Sequence, residues 1–305
     1  MRLGVLDVGS NTIHLQVVDA HPGARPTPTT NYKIELRLTE FLNNEGAITQ
    51  EGIDQLFTAI SGAVEHAKEF QTEEIFAFAT SAIREAPNGA KIISEANQKF
   101  DIDLQILSGN EEARITFLAA RRWLGWSSGK LLVVDIGGGS LECAIGIDEA
   151  PDHTFSLPLG AARLTRMFLH SEPYSKKSLN ALHSFVMTTL DEGVSEEFDT
   201  SETNRFVATS KTLRTLARIC SQWYGDDQKY LSRESLLQAI PRLSELKNAE
   251  RAQLPGVSEG RARQLVAGAT VAHGIMEKLN VEKLEICPWA LREGLVLKWL
   301  DWHAR

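Results

Sequence analysis

The sequence has little of several features that would assign it to a class at once. Its three cysteines, Cys143, Cys220 and Cys287, are widely separated and embedded in apolar sequence, with no C-x-x-C pair and no histidines at zinc-site spacing. We therefore expect buried reduced thiols rather than disulfides or a zinc site. Charges interrupt every apolar run well short of the ~20 residues that a membrane span needs, and the N-terminus has no basic leader. These absences predict a soluble cytoplasmic protein.

Other absences exclude classes of function. The formal net charge is −8, which argues against a general nucleic-acid-binding protein because such binding depends on clustered Lys and Arg. The motif G-x-x-x-x-G-K-[ST] is absent, so this is not a P-loop enzyme, and neither G-x-S-x-G nor H-E-x-x-H occurs. What remains is a 305-residue chain of ordinary globular composition, 43% hydrophobic and 24% charged, long enough for two domains.

The most informative segment is residues 131–146, an apolar strand ending near Asp135, a turn of three glycines and a second apolar strand. Glycines leave no Cβ over the turn, so backbone N–H groups can converge on an anionic oxygen. Asp135 is placed to reach a divalent cation that bridges the same phosphate. Glycine hairpins also occur in proteins that bind no phosphate, so this segment alone leaves both interpretations open.

A second copy of this segment favours the phosphate interpretation. Residues 3–15 align with it without a gap at a shift of 128 positions, which pairs Asp7 with Asp135, Gly9 with Gly137, Thr12 with Ser140 and His14 with Glu142. Repetition at this spacing predicts two like domains. The arrangement resembles the actin, hexokinase and chaperone-ATPase superfamily, which implies an α/β fold of two actin-like (ribonuclease H-like) domains facing each other across a cleft. We expect domain I at 1–125, domain II at 126–290, and a C-terminal helix 291–305 that packs back on domain I.

Arg84 follows a predicted strand at 74–79, in the segment Thr80-Ser81-Ala82-Ile83-Arg84-Glu85-Ala86. In open α/β sheets ligands bind at the carboxyl ends of strands. From position alone Arg84 is either a phosphate clamp or a surface arginine beside Glu85.

Two adjacent glutamates, Glu111 and Glu112, stand in the first turn of a predicted helix 111–124, for which Asn110 is the predicted N-cap. Carboxylates in a first turn stabilise the positive end of the helix dipole, and position alone favours this role over that of a general base.

Lys211 lies in Thr209-Ser210-Lys211-Thr212, between a predicted strand 205–208 and a predicted helix 213–223. A strand, small hydroxyl residues and a helix N-terminus form a ready anion site. Most lysines are solvated, but the position of this one favours a phosphate contact.

Five motifs in series resemble the exopolyphosphatase and guanosine pentaphosphate phosphatase family. They cover essentially the whole chain in the family's order: Leu6-Asp7-Val8-Gly9-Ser10-Asn11-Thr12, Ala79 to Ala86, Ser108-Gly109-Asn110-Glu111-Glu112-Ala113-Arg114, Asp135-Ile136-Gly137-Gly138-Gly139-Ser140-Leu141-Glu142 and Ala290-Leu291-Arg292-Glu293-Gly294. The sequence resembles the short branch, without the extra C-terminal domains of the long enzymes. Lys211 departs from the small residues of many relatives, which puts nucleotide preference in doubt.

The resemblance implies release of the terminal phosphate of inorganic polyphosphate with Mg²⁺ or Mn²⁺. By motif position the catalytic glutamate falls on Glu112, which reverses the structural interpretation above. The metal and water site falls on Asp135 and Glu142, with Asp7 as a further contact. The phosphate cradle comprises Gly9, Ser10, Asn11, Thr12, Arg84, Gly137, Gly138, Gly139, Ser140 and Lys211.

The expected partner is inorganic polyphosphate, and neither nucleic acid nor a membrane is expected; we also expect a homodimer. Three alternatives stay open: a guanosine pentaphosphate 5′-phosphatase, a non-catalytic nucleotide sensor and an actin-fold kinase. A kinase needs an acceptor-binding Asp and an adenosine pocket, neither of which the sequence locates.

Overall fold

A computed structural model of the protein describes residues 1–21 and 25–303. The chain divides into two compact units: unit 1 is Met1–Ile115 with the C-terminal segment from Leu291, and unit 2 is Thr116–Ala290. The expected boundary followed residue 125, whereas the observed division falls inside a helix. The proline-bearing segment 21–30 is predicted to be an exposed connection between strands. Parts of it and of the predicted helix 291–305 lie outside the described residues.

The elements of the first part of the chain, through the helix that contains the boundary, are β1 (Arg2–Val8), β2 (Thr12–Asp19), β3 (Pro28–Glu35), α1 (Gln50–Glu69), β4 (Glu74–Ala79), α2 (Ser81–Arg84), α3 (Gly89–Phe100), β5 (Leu104–Ile106) and α4 (Gly109–Leu124). A 3-10 helix at Leu38–Phe41 follows β3. The sheet order is β3-β2-β1-β4-β5, in which the first three strands are antiparallel neighbours and β4 and β5 run parallel to β1.

The rest of the chain contains β6 (Leu131–Ile136), β7 (Leu141–Gly146), β8 (His153–Leu157), α5 (Ala161–Phe168), α6 (Lys176–Gly193), β9 (Arg205–Ala208), α7 (Lys211–Tyr224), β10 (Tyr230–Ser232), α8 (Arg233–Glu245), α9 (Asn248–Arg251), α10 (Glu259–Ala262), α11 (Leu265–Lys278), β11 (Lys283–Ile286) and α12 (Leu291–His303). A 3-10 helix at Trp126–Ser128 precedes β6. The order of the second sheet is β10-β11-β9-β6-β7-β8.

The two sheets share one topology. From β8 the second sheet runs β8-β7-β6-β9-β11, three antiparallel neighbours followed by two parallel strands, like β3-β2-β1-β4-β5. The strand β10 is an addition that pairs antiparallel with β11. The predicted internal repeat is therefore a repeat of architecture.

Unit 1 has a core on each face of its sheet, because successive side chains of a strand point to opposite faces. Leu6 and Val8 pack with the buried side of α1 and α3. Leu3 and Val5 pack on the other face with four buried side chains of α12: Leu295, Val296, Trp299 and Leu300. Burial of side chains this large contributes about 1.5–3 kcal/mol each, so α12 is an integral part of unit 1.

A Ser or Thr ahead of an amphipathic stretch predicts a helix N-cap at Thr49, Ser175, Ser232 and Ser258. The first three of these each accept a hydrogen bond from a backbone N–H of the following first turn. The helix predicted to begin at Ser258 is instead two helices, α10 and α11. The amide of Gln264 donates to the Arg261 carbonyl three residues back, which ends the α-helical hydrogen-bond pattern.

Within the described residues no helix combines the length and apolar character required to cross a membrane.

Candidate active site

The two Asp-Gly hairpins close with the same hydrogen bond. The amide of Gly9 donates to the Thr12 carbonyl at 3.0 Å, and the amide of Gly137 donates to the Ser140 carbonyl at 2.9 Å. These four residues are related by the same shift that aligns the two sequences. The sequence repeat is therefore also a repeat of backbone hydrogen bonding.

In unit 2 the glycine turn rests on the start of α5. The carbonyls of residues 137–139 accept hydrogen bonds at 2.7 to 3.0 Å from the amides of residues 161–163 and from Arg163 Nε. These bonds satisfy amides that a helix N-terminus leaves unpaired. The C=O and N–H of a trans peptide point in opposite directions, so the amides of residues 138–140 are turned away from α5.

Gly160 makes this contact possible. A Cβ on Gly160 would lie 2.2 Å from the carbonyl carbon of Gly139 and 2.4 Å from the carbonyl oxygen of Gly138. No side chain fits there, so a glycine at this position sets how closely the turn and the start of α5 approach.

Asp135 and Glu142 lie directly opposite each other on β6 and β7, so their side chains share one face of the sheet. Each accepts a hydrogen bond from a hydroxyl of a neighbouring strand end: Thr209 Oγ1 to Asp135 Oδ2 at 2.6 Å, and Ser156 Oγ to Glu142 Oε1 at 2.9 Å. Burial raises the pKa of Asp135, and the Thr209 hydrogen bond and the charges of Arg214 and Arg261 oppose the rise.

This carboxylate pair fits a magnesium-type ion. Mg²⁺ takes oxygen ligands and is usually held by one or two carboxylates, with water and substrate phosphates completing its coordination. In the described part of the chain no three or more His, Cys, Asp or Glu side chains gather into a metal-binding group. The facing pair Asp135 and Glu142 matches the one or two carboxylates that Mg²⁺ usually takes from a protein.

In unit 1 the equivalent pair is Asp7 and His14, opposite each other on β1 and β2. Arg292 contacts both: its Nη1 lies 3.6 Å from Asp7 Oδ2 and makes a hydrogen bond to His14 Nδ1. Arginine only donates, so Nδ1 accepts, and the proton of a neutral ring is on Nε2, 3.0 Å from Asn31 Oδ1. Burial, followed by the charge of Arg292, lowers the pKa of His14 to about 4.

Arg292 reaches this position because α12 packs tightly on α4. A Cβ on Gly294 would lie 2.1 Å from the Ile115 carbonyl oxygen, so only glycine permits the observed approach. Arg292 is two positions earlier, at the end of β1 where Asp7 lies. The segment Leu291-Arg292-Glu293-Gly294 thus combines a packing residue with a charged one.

The remaining turn residues of unit 1 are tied to their surroundings. Ser10 Oγ lies 2.9 Å from Ser81 Oγ at the start of α2, and both are buried. The carbonyl of Asn11 accepts hydrogen bonds from the amides of Leu36 and Arg37 at 2.9 and 3.1 Å. The turn Gly9–Thr12 is therefore held by the residues that follow β3 and by the short helix α2.

Glu111 has the structural role that its position suggested. The helix α4 begins at Gly109, so its N-cap is Ser108, and the predicted Asn110 cap is wrong. Ser108 Oγ accepts from the Glu111 amide at 3.2 Å, and Glu111 Oε2 accepts from the Ser108 amide at 2.8 Å, which is a capping box. Hydrogen bonds from the Ser108 amide and hydroxyl lower the pKa of Glu111.

Glu112 is in a different environment. It is buried, and Oε1 forms an ion pair with Arg84 Nη1, which also donates to the Leu107 carbonyl at 2.7 Å. The Arg84 side chain is 20% exposed, so it is not a solvated surface arginine, and its Nη2 lies 3.9 Å from Glu85 Oε1. The structure thus brings together two of the predicted site residues, Arg84 and Glu112.

Lys211 is the first residue of α7, which begins two residues earlier than predicted. The Ser210 hydroxyl caps this helix by accepting from the Leu213 amide at 3.2 Å. Ala208 pairs in parallel register with Val134, so the turn that contains Lys211 follows a strand beside β6. Lys211 and Asp135 consequently belong to the carboxyl-end edge of the same sheet.

Comparison with known proteins assigns the chain to a family. The model of the Ppx/GppA phosphatase family matches residues 16–303. The chain belongs to the Ppx/GppA phosphatase family. The resemblance drawn from the five motifs is therefore confirmed.

Similar proteins include the exopolyphosphatase 1 of Mycobacterium tuberculosis, 46% identical over 100% of this chain and 90% of that protein. The exopolyphosphatase 1 of Mycobacterium leprae is 44% identical over 100% of this chain and 91% of that protein. A crystal structure of an exopolyphosphatase from Cytophaga hutchinsonii superposes with a TM-score of 0.87 at 24% identity, covering 99% of this chain and 98% of that one. This likeness confirms the predicted fold class of two α/β domains.

Several side chains around the predicted site residues were not assigned a role from sequence. Thr209 and Ser156 orient the unit 2 carboxylates, and Arg292 pairs with Asp7. The alignment of His14 with Glu142 was the available signal that the two hairpins differ in charge. The partner of Asp7 had no local signal, because it lies near the other end of the chain.

Proposed function

We propose that this member of the Ppx/GppA phosphatase family is an exopolyphosphatase, which hydrolyses the terminal phosphoanhydride bond of inorganic polyphosphate with Mg²⁺ or Mn²⁺. Two similar proteins bear the name exopolyphosphatase 1. The observation that carries the proposal is the buried Glu112 paired with Arg84, one residue after a glutamate that only caps a helix.

Glu112 is the proposed general base that orients and deprotonates the attacking water. A neighbouring guanidinium stabilises an ionised carboxylate and so weakens it as a proton acceptor. The negative charge of a substrate phosphate bound by Arg84 would offset the positive charge that Glu112 faces and make Glu112 a stronger base. Arg84 has five N–H donors and is held by the Leu107 carbonyl, so it can bind phosphate without leaving its place.

The proposed phosphate cradle has a donor set in each unit. In unit 2 the amides of residues 138–140 point away from α5, which leaves them directed toward a ligand, and Lys211 adds a positive charge. In unit 1 the set comprises the turn Gly9–Thr12 and Arg84. Phosphoryl transfer passes through a loose transition state, so positioning and charge neutralisation supply most of the acceleration.

Asp135 and Glu142 are the proposed holders of the divalent cation. When bound, the ion would neutralise charge on the substrate phosphate oxygens. The hydroxyls of Thr209 and Ser156 keep the two carboxylates in fixed orientations, which is the usual task of groups that hydrogen-bond to metal ligands.

The proposal is tested by phosphate release from short polyphosphate, long polyphosphate and guanosine pentaphosphate, each with Mg²⁺ or Mn²⁺ and without an acceptor. We expect polyphosphate to be hydrolysed fastest. Faster turnover of the nucleotide would instead favour a guanosine pentaphosphate 5′-phosphatase. Release without an acceptor separates a hydrolase from a kinase, and steady turnover excludes a sensor.

Substrate preference has its own test at Lys211. Lys211→Ala should raise KM for polyphosphate and weaken its salt dependence, because a cation near a polyanion is screened by added salt. Lys177→Ala, in the exposed first turn of α6, is the matched control. Equal effects of the two substitutions would remove Lys211 from the cradle. The expectation of a cytoplasmic homodimer stays a prediction, and sedimentation analysis tests the oligomeric state.

A further inference from the structure

The two hairpins place different charges at equivalent positions. In unit 2 two carboxylates, Asp135 and Glu142, share one face of β6 and β7. In unit 1 the second position is His14, a neutral ring whose Nδ1 accepts a hydrogen bond from Arg292. Arg292 also pairs with Asp7 at 3.6 Å. The unit 2 hairpin therefore carries two facing carboxylates, whereas the unit 1 hairpin carries one carboxylate beside the guanidinium of Arg292 from α12.

We propose that Arg292 is the built-in counter-ion of the unit 1 hairpin: Asp7 holds a guanidinium where the unit 2 hairpin holds a divalent cation, and the protein binds one such cation per chain. This inference rests on the proposed metal-assisted hydrolysis. Under this proposal Asp7 pairs with Arg292 and is not a metal ligand.

Three features make Arg292 a fixed cation. A guanidinium stays protonated throughout the physiological range. The backbone of α12 is held by the approach of Gly294 to the Ile115 carbonyl, so Arg292 starts from a rigid position. Its Nη1 is also bonded to His14, which in turn contacts Asn31 of β3 at 3.0 Å. Contacts with α4, β2 and β3 therefore hold the guanidinium in place, in addition to its ion pair with Asp7 of β1.

The same contacts disfavour a metal ion at Asp7. A divalent cation there would lie beside a fixed positive charge and would be repelled by it. The His14 ring cannot offer Nδ1 as a ligand while that atom accepts from Arg292, and its Nε2 carries the proton. Neither atom of the residue opposite Asp7 is thus available for coordination.

The test is a titration of the full-length protein with Mn²⁺ in the absence of substrate, counting bound ions by electron paramagnetic resonance. Wild type should bind one Mn²⁺ per chain. Asp7→Asn should keep that site, whereas Asp135→Asn should weaken it at least tenfold. Two ions in wild type, none in wild type, loss of the site in Asp7→Asn or its retention in Asp135→Asn would each overturn the inference.

The second part of the Mn²⁺-binding test uses substitutions of Arg292. Arg292→Gln should expose Asp7 and add a second, weaker Mn²⁺ site, whereas Arg292→Lys keeps the charge and should add none. A folded Arg292→Gln protein with a single site would contradict the proposal. If circular dichroism shows that this variant does not fold, the Asp7 and Asp135 variants decide. Because binding is measured without substrate, absent polyphosphate hydrolysis would refute the proposed function and leave the ion count to judge this inference.

Discussion

The two hairpins have the same backbone and different charges. Both close with a glycine amide that donates to a carbonyl three residues on, in sheets that share one order of five strands. The residue opposite the aspartate is Glu142 in unit 2 and His14 in unit 1. The comparison teaches that two copies of a motif can share a backbone turn and differ in the side chain that faces the aspartate.

The supports of the two turns differ as well. The turn of unit 2 rests with its carbonyls on the start of α5, so three consecutive amides are oriented by one helix. In unit 1 the turn is held through Asn11 by the residues that follow β3, and through Ser10 by α2. In the glycine-rich hairpin of unit 2, contact with α5 therefore orients the amides of residues 138–140 together.

The largest effect on phosphate release is expected when the metal ion is removed. Excess EDTA should abolish phosphate release, and Mg²⁺ or Mn²⁺ should restore it. Asp135→Asn should lower kcat/KM by about 10²- to 10³-fold, since a bound ion contributes several kcal/mol of charge stabilisation. Asp7→Asn should cost less than tenfold, because its partner is an arginine. Equal losses of kcat/KM in Asp135→Asn and Asp7→Asn would contradict the proposed difference between the two hairpins.

A smaller effect is expected for the hydroxyl that orients Asp135. Thr209→Val removes the 2.6 Å hydrogen bond and should weaken Mn²⁺ binding by about 10- to 100-fold, as observed for residues that support metal ligands. Thr80→Val is the matched control, since Thr80 follows β4 as Thr209 follows β9. Both proteins are compared by Mn²⁺ titration, and equal affinities would contradict an orienting role for Thr209.

Close backbone approaches in both units predict losses of stability. A Cβ would lie 2.2 Å from backbone at Gly160 and 2.1 Å at Gly294. Each substitution by Ala should cost about 1–3 kcal/mol of unfolding free energy, because overpacking forces the backbone apart. Gly137→Ala is the control, with its nearest neighbour at 3.5 Å. Urea denaturation measures all three, and a control as destabilised as Gly160→Ala would refute the steric argument.

The smallest effect concerns His14. Its pKa is lowered from 6.5 to about 4 on folding, so its contribution to stability is present above 6.5 and is lost as the pH falls through 4. After solvent screening, the loss is about 1–2 kcal/mol. His14→Gln should flatten the pH dependence of stability between pH 7 and 4 relative to wild type. The same change of melting temperature between pH 7 and pH 4 in both proteins would show that the ring is not held neutral.

The sequence was sufficient where the determinants are local. The strands β4 and β9 have their predicted bounds, because apolar residues followed by small hydroxyl residues define them. The sequence also predicts a third strand near 33–38, whereas β3 begins earlier, at Pro28, and ends at Glu35. It is an edge strand, where proline is tolerated as the first residue.

The sequence was insufficient where the determinants are distant or differ by one position. His14 and Arg292 are 278 positions apart, and no local pattern signals their contact. Glu111 and Glu112 are adjacent, and only the Ser108 cap decides which of them is bound to the helix start. The assignment of Glu112 as the base rests on family motif position, and the capping box gives the adjacent Glu111 a separate structural role.

The most direct test of the account is kcat for polyphosphate hydrolysis by Glu112→Gln and Glu111→Gln at saturating substrate and metal. Glu112→Gln keeps size and hydrogen bonding and removes the proton acceptor, so kcat should fall about 10²- to 10⁴-fold. Glu111→Gln should keep nearly normal turnover and lose at most ~1 kcal/mol of stability with its helix cap. Near-normal turnover of a folded Glu112→Gln protein would contradict the assignment of Glu112 as the base.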